Sequence, residues 1–408
     1  MIVVGMLSGT SADGLDVAVC EIEVGPTTTL AVRRHEAVPW PDGLQERLLA
    51  VLPPARTTVG EIAALDHAIG RVAADAATGH DADLVAWLGQ TVFHGISGGR
   101  ATGGLQLGQP AWIAEATGLP VVSDLRSTDI AAGGHGAPLA STLDALWLAG
   151  DAAQRSSTRQ GGPDTRIALN LGGIANVTVV APIDPSTPRE GNPRTTRALA
   201  SSPHVTAFDT GPANCWLDVV AQRATGTAYD VDGALAASGV VDDGLLRHLL
   251  AEPYYAAPPP KTTGRERFTA PALDAAVAHA APGIADADLA ATLVALTART
   301  VADACRAHGA VEVVGSGGGM TNPTLRAALA AELDPVPLVP ADDRGLPAGA
   351  KEAVLTALLG ALTWHGVPGV LPGATGSTTP RVLGRISPGH RPLRLPEPVA
   401  AVHRLEIR

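Results

Sequence analysis

The chain of 408 residues has only three cysteines, Cys20, Cys215 and Cys305, and no two of them stand at CxxC spacing. This argues against a disulfide framework or a cysteine-based zinc site, and it fits a reducing compartment. Long apolar runs are also missing, and none approaches the roughly 20 residues that a membrane helix needs. No basic segment precedes the apolar start Met1-Ile-Val-Val-Gly5, so no signal peptide is expected and the cytoplasm is the expected compartment. No Lys/Arg stripe is visible, and 29 basic against 40 acidic residues leave a formal charge of −11. That balance excludes a nucleic-acid footprint. It leaves a nucleotide open, because backbone N–H groups and Mg²⁺ can hold phosphates in an acidic protein. No GxxxxGK[ST] loop occurs, so phosphates would have to be gripped in another way. No HExxH or comparable spacing occurs either, so His94 and His135 are assigned no metal-ligand role.

What is present is a core-forming chain, 46% hydrophobic, long enough for two or three domain-sized units. Residues 2–24 read as strand, Gly-rich turn, strand. Ile2-Val3-Val4 is an apolar run, Leu7 to Gly14 supplies turn residues, and Leu15, Val17 and Val19 alternate with Asp16 and Ala18. The stretch from Arg166 to Val180 repeats the plan around Gly172-Gly173. Two such hairpins predict two lobes on one plan, and the intervening helix and strand alternation predicts α/β architecture. Glu61 to Ala77 carries helical periodicity, and Asp83 to Leu88 reads as a buried strand running into Gly89-Gln90-Thr91. Asp288 is expected to cap a helix through about Ala307 with Leu289, Leu293, Leu296 and Thr300 on one face. Val311 to Val314 is a strand breaking into Gly315-Ser-Gly-Gly-Gly319, with Asn322-Pro323 opening the next helix. A last helix runs from about Lys351 to His365. The Pro- and Arg-rich residues 182–203 read as a surface insertion, and 151–164 as a shorter one.

Several of these segments carry candidate chemistry. The turn Gly9-Thr10-Ser11-Ala12-Asp13-Gly14 offers small residues, hydroxyls and successive N–H groups to a phosphate, with Asp13 or Asp16 available for Mg²⁺. Taken alone it reads more readily as a plain turn. Gly172, Gly173 and Asn176 offer a second cradle, and Gly317 and Gly318 with Asn322 a third, suited to the base and ribose of a nucleotide. Asp209, in Phe208-Asp-Thr-Gly-Pro-Ala-Asn214, reads as a carboxylate on a tight turn. It is either a base near an attacking oxygen or a cap for the helix starting near Asn214. Gln90 and Thr91 with His94, and Asp124, Arg126 and Asp129, follow strand-like runs. They read as sugar and carboxylate ligands, or as a local Asp–Arg pair. Glu352 opens the last helix, as a dipole partner or as a ligand.

The order hairpin, hairpin, strand–Gly-rich turn–helix is that of the actin-like ATPase and sugar-kinase superfamily. Met6 to Asp16, Gly89 to His94, Asp124 to Arg126 with Asp129, and Ala132 to Pro138 resemble blocks of the anhydro-N-acetylmuramic acid kinase family. So do Asn170 to Asn176, Asp209 to Asn214, Pro259 to Glu266, Gly317 to Gly319 with Asn322, and Lys351 to Ala353. They keep the family's order over nearly the whole chain. Leu7, Leu125 and Ala213 stand where Met, Phe and Gly are usual, and a positive φ at position 213 would strain an alanine.

The resemblance implies a two-lobed, actin-like α/β fold with a ribonuclease H-like repeat and an interlobe cleft. Its first lobe would span 1–135 plus about 367–408, and its second 136–366. It also implies a kinase that uses ATP and Mg²⁺ to open the 1,6-anhydro ring of anhydro-N-acetylmuramic acid and phosphorylate O6, in cell-wall recycling. Asp209 would activate the water, and Gly9, Thr10, Ser11, Ala12, Asp13, Gly14, Leu15 and Asp16 would form the phosphate loop. Gln90, Thr91, Arg126 and Glu352 would lie around the sugar. A homodimer is usual in such a family, with no nucleic-acid or membrane partner.

Overall fold

The computed structural model describes residues 1–9, 12–97, 100–155, 164–181, 204–259, 261–263, 267–371, 374–377 and 379–408. Thr10, Ser11, the 182–203 insertion and most of its shorter counterpart at 151–164 lie outside the described residues. The chain divides into two compact units. The first comprises Met1–Ser157, Ile183–Val205 and Ala350–Arg408, and the second Thr158–Pro182 and Thr206–Gly349.

In the first unit β1 (Ile2–Ser8), β2 (Gly14–Glu23) and β3 (Thr27–Pro39) form an antiparallel meander with Met6 opposite Val17 and Leu7 opposite Asp16. β4 (Leu84–Ser97) then runs parallel to β1, and β6 (Val121–Ser123) parallel to β4. The strand β5 (Arg100–Leu107) folds back on β4. Short strands Arg385–Ser387 and Arg404–Ile407 extend the sheet at β6 and β3. Leu15 and Val17 of β2 pack with Leu65 and Ile69 of helix Val59–Ala77, whose first N–H groups are capped by Thr58. The buried helix Lys351–Trp364 lies against β1, β2 and β4. It comes close because Gly5 has no side chain: a Cβ there would stand 2.2 Å from the Ala353 carbonyl oxygen. Gly360 gives the same clearance to Ala86 of β4. A sheet covered on both faces needs apolar residues on both, so β1 shows a run of hydrophobics rather than alternation.

The second unit repeats the plan. β7 (Thr165–Leu171) and β8 (Ile174–Ala181) form a hairpin, followed by β9 (His204–Pro212), β10 (Ala310–Ser316) and β11 (Leu338–Pro340). The strand order β11-β10-β7-β8-β9, with β10 parallel to β7 and β11 parallel to β10, matches β6-β4-β1-β2-β3 in the first unit. Both halves are therefore α/β, as expected. Helix Asp286–Ala307 buries Leu289, Leu293, Leu296 and Thr300, the face read from periodicity. It starts two residues before Asp288, which accepts a hydrogen bond from the Val240 amide at 2.7 Å instead of capping.

The unit boundaries differ from those read in the sequence, which put 136–366 in the second lobe. Helices Ala140–Arg155 and Lys351–Trp364 belong to the first unit. The cause is the close seating of the latter on Gly5 and Ala86, a contact that no local pattern announces. Among the described residues no helix is long and apolar enough to cross a membrane.

Candidate active site

The first glycine turn is braced from beneath. The Gly9 carbonyl accepts hydrogen bonds from the Ala12 amide at 3.1 Å and from Gln90 Nε2 at 3.2 Å, while Ser8 Oγ donates to Gln90 Oε1 at 2.5 Å. Ala12 takes φ 52°, and its side chain, like that of Leu15, is buried. Gly14 has no room for a Cβ, which would meet the Val38 carbonyl oxygen at 2.5 Å. Any ligand contact from Ala12, Gly14 or Leu15 must therefore be through backbone. Asp13 and Asp16 keep accessible side chains. Gln90, read in the sequence as a sugar ligand, is 1% exposed and its amide is spent on the turn and on the Thr91 carbonyl. Its geometry makes it a brace for Gly9. Thr91 remains half-buried, its hydroxyl accepting from Gln106 at 3.4 Å.

The same unit gathers a chain of charges. Desolvation and the neighbouring Asp13 raise the Asp16 pKa against the pull of His35, which stands 4.0 Å away. Desolvation and Asp16 raise Glu352, opposed by Lys351 and Arg126. Glu352 keeps an accessible side chain, so dense surroundings rather than a sealed interior desolvate its carboxyl. Desolvation lowers the Arg126 pKa, with Glu352 opposing. Desolvation, with Arg126 and His135 as lesser causes, lowers that of His94. Arg126 Nε is buried and has no hydrogen-bond partner among the described residues, which suits a guanidinium held for an incoming anion. Lys351, by contrast, is committed to Asp144 at 2.7 Å.

The local Asp–Arg pair that the sequence left open takes another form. Asp124, with φ 53°, pairs with Arg385 and accepts from Ser127 Oγ. Asp129 is wholly buried, accepting from the Gly136 amide at 2.7 Å and Thr375 Oγ1 at 2.8 Å. It shapes the Gly133–Gly136 turn, where a Cβ on Gly134 would strike its carboxylate.

In the second unit Asp209 lies within β9 rather than on a turn. Its Oδ2 accepts from Thr262 Oγ1 at 2.9 Å and from the Thr263 amide at 2.8 Å. Helix Asn214–Thr225 has no side-chain cap, so Asp209 is not its cap. The amides of Ala213, Asn214 and Cys215 instead donate to the carbonyls of Gly173, Gly172 and Gly173. The second glycine turn therefore holds the helix that follows Asp209, and Asn214 Nδ2 adds a bond to Gly172 at 2.8 Å. Ala213 has φ −115°, so nothing there demands glycine. Asn176 is half-buried in β8 opposite Asn170.

The third glycine element packs on the second. A Cβ on Gly317 would stand 2.5 Å from Asn170 Oδ1, and one on Gly319 2.7 Å from Leu171 Cβ. A Cβ on Gly318 would meet nothing within 4 Å among the described residues, while its carbonyl accepts from Thr321 Oγ1 at 2.8 Å. Asn322 uses Oδ1 to accept from the Thr324 and Leu325 amides, both at 3.0 Å. Its firm role is that of helix cap. Two of the three glycine elements and Asp209 are thus neighbours within one unit. Thr262, Thr263 and Asp144 escaped the reading of roles; the first two lie in the Pro259–Glu266 block, the only signal that pointed to them.

Comparison with known proteins bears on this arrangement. Residues 1–389 match the family model described as anhydro-N-acetylmuramic acid kinase. An anhydro-N-acetylmuramic acid kinase of Streptomyces coelicolor is 48% identical over 408 residues, covering 98% of this chain and 96% of that protein. One from Rhodococcus erythropolis is 46% identical over 404 residues, covering 96% of each. Among solved structures, a xylulose kinase from Rhodospirillum rubrum covers 95% of this chain and 94% of its own at 14% identity and a TM-score of 0.42, too distant to bear on function. By the family match and by both relatives, the chain belongs to the anhydro-N-acetylmuramic acid kinase family.

Proposed function

We propose that the chain is an ATP-dependent kinase that hydrolytically opens the 1,6-anhydro ring of anhydro-N-acetylmuramic acid and phosphorylates O6, in peptidoglycan recycling in the cytoplasm. The observation that carries the reading is the setting of Asp209, whose Oδ2 accepts from Thr262 and Thr263 and which does not cap a helix. In this reading Asp209 takes a proton from water as the water oxygen bonds to C1. The C1–O6 bond breaks, and O6 bonds to the γ-phosphorus of ATP as ADP leaves. One carboxylate and good positioning couple the two steps, since the departing oxygen is itself the phosphoryl acceptor. Arg126, whose Nε has no hydrogen-bond partner among the described residues, suits the sugar's carboxylate, and Thr91 and Glu352 suit its hydroxyl or amide groups. Gln90 acts one step back, shaping the Gly9 loop.

Among the described residues no group of three or more His, Cys, Asp and Glu side chains could hold a metal. Mg²⁺ needs no such cage, because it keeps several waters and takes one or two carboxylates with phosphate oxygens. Asp16 and Asp13, accessible carboxylates beside the phosphate turn, fit that donor set, and the ion would neutralise phosphate charge there. Assembly as a homodimer belongs to the same reading and is checked by sedimentation. The enzymatic test is incubation with ATP, Mg²⁺ and the anhydro sugar in ¹⁸O-labelled water. ADP, a 6-phosphate and label at C1 are expected. A folded sample that makes no ADP, or that places no label at C1, overturns the reading.

A further inference from the structure

We infer that Thr262 is a positioning residue for Asp209, fixing the direction in which that carboxylate meets its water; this rests on Asp209 being the base. Two donors, Thr262 Oγ1 and the Thr263 amide, end on the same oxygen, Oδ2. The terminal torsion of a carboxylate is broad, and a single donor leaves it free to swing. Two donors on one oxygen choose one orientation of the carboxylate.

The segment that supplies them is itself locked to Asp209 by a closed ring of hydrogen bonds. The Asp209 amide donates to the Lys261 carbonyl at 3.1 Å. Lys261 Nζ donates to the carbonyls of Tyr254 and Tyr255 at 3.0 and 2.9 Å. The Tyr254 hydroxyl returns to the Asp209 carbonyl at 2.9 Å. Lys261 also lies over the Tyr254 ring, 4.8 Å from its centroid. An ammonium spent on two carbonyls and a ring face is part of a scaffold, and the scaffold ends on the Thr262 hydroxyl. That hydroxyl is on an exposed residue, so nothing about packing requires it. A donor to a carboxylate also favours its charged form, the form a base must have.

The test compares Thr262→Val, Thr262→Ser and Asp209→Asn in the full chain, following kcat and KM against pH with the anhydro sugar and Mg-ATP. Thr262→Val is expected to lower kcat about tenfold or more, with both KM values near wild type, because misaligned reacting groups cost rate rather than binding. Its acidic limb is expected to move up by roughly half to one pH unit, the size of one lost hydrogen bond. Thr262→Ser is expected to restore both. The inference is overturned if Thr262→Val keeps the wild-type limb and kcat, or if Thr262→Ser behaves no better than Val. Asp209→Asn separates the two claims. An inactive Asp209→Asn beside an unaffected Thr262→Val removes only the positioning role, whereas an active Asp209→Asn removes the base as well.

Discussion

Lys351 Nζ stands 2.7 Å from a carboxylate oxygen of Asp144, and the two side chains are only 8% and 4% exposed. Lys351 is the first residue of a helix otherwise buried through Ala353, Val354, Leu355 and their successors. The pair therefore pins the start of that helix, and with it the neighbouring Glu352, to helix Ala140–Arg155. Removing one partner of a buried pair leaves a charge uncompensated. Asp144→Leu or Lys351→Met alone should cost about 3–5 kcal/mol of stability, whereas the two together should come close to wild type. Chemical denaturation of the three variants, treated as a double-mutant cycle, measures this.

Arg126 offers a second prediction. Its Nε lies buried without a hydrogen-bond partner among the described residues, and the Glu352 charge lies near it. Lysine carries the charge but not the planar fork. Arg126→Lys should raise the KM for the anhydro sugar about tenfold or more, the cost of one lost charge-assisted bond, and leave the KM for ATP within about twofold. Equal rises in both constants would show that Arg126 supports the fold rather than the sugar.

The architecture was largely legible because both hairpins announce themselves locally. Leu15, Val17 and Val19 alternate as a strand that packs on a helix must, and the run from Arg166 to Val180 repeats the pattern. Roles were harder to read wherever a side chain works at long range. Gln90 looks like a ligand by its place after a strand, but nothing local reveals that its amide closes on Ser8 and Gly9. The extent of each unit is hard to read for the same reason, since the seat of helix Lys351–Trp364 is a glycine at position 5. Asp209 stands out in the sequence as a candidate base, while its hydrogen-bond partners Thr262 and Thr263 lie in a block whose spacing suggests no chemistry.

That glycine seat can be tested directly. A Cβ at position 5 would come within 2.2 Å of the Ala353 carbonyl oxygen and 2.5 Å of the Ala357 nitrogen, both backbone atoms that no rotamer change can move. Gly5→Ala should therefore cost about 1–3 kcal/mol or more. Gly43, also glycine but with nothing within 4 Å of a built Cβ, is the control for added volume. Its φ of 77° predicts a smaller, purely backbone cost there, about 1 kcal/mol. Thermal unfolding of the two variants should rank Gly5→Ala well below Gly43→Ala.

The pH dependence of Glu352 follows from the direction of its shift. Desolvation and the Asp16 charge raise its folded pKa, so the fold favours the protonated form. Ionisation is then harder in the folded chain than in the unfolded one, where a glutamate titrates near about 4.3. Below that value both states hold the proton and Glu352 costs nothing. As pH rises through the unfolded and then the folded pKa, the native state progressively loses stability relative to a chain without that charge. Glu352→Gln should therefore be more stable than wild type at neutral pH, with the difference vanishing in acid. Asp16→Asn in the wild-type background should shrink the difference, because it removes one cause of the shift. If Glu352 is a sugar ligand, the stabilised Glu352→Gln variant will bind the anhydro sugar more weakly. Calorimetric binding and unfolding at two pH values measure both effects, and a variant that gains stability without losing affinity would remove Glu352 from the sugar site.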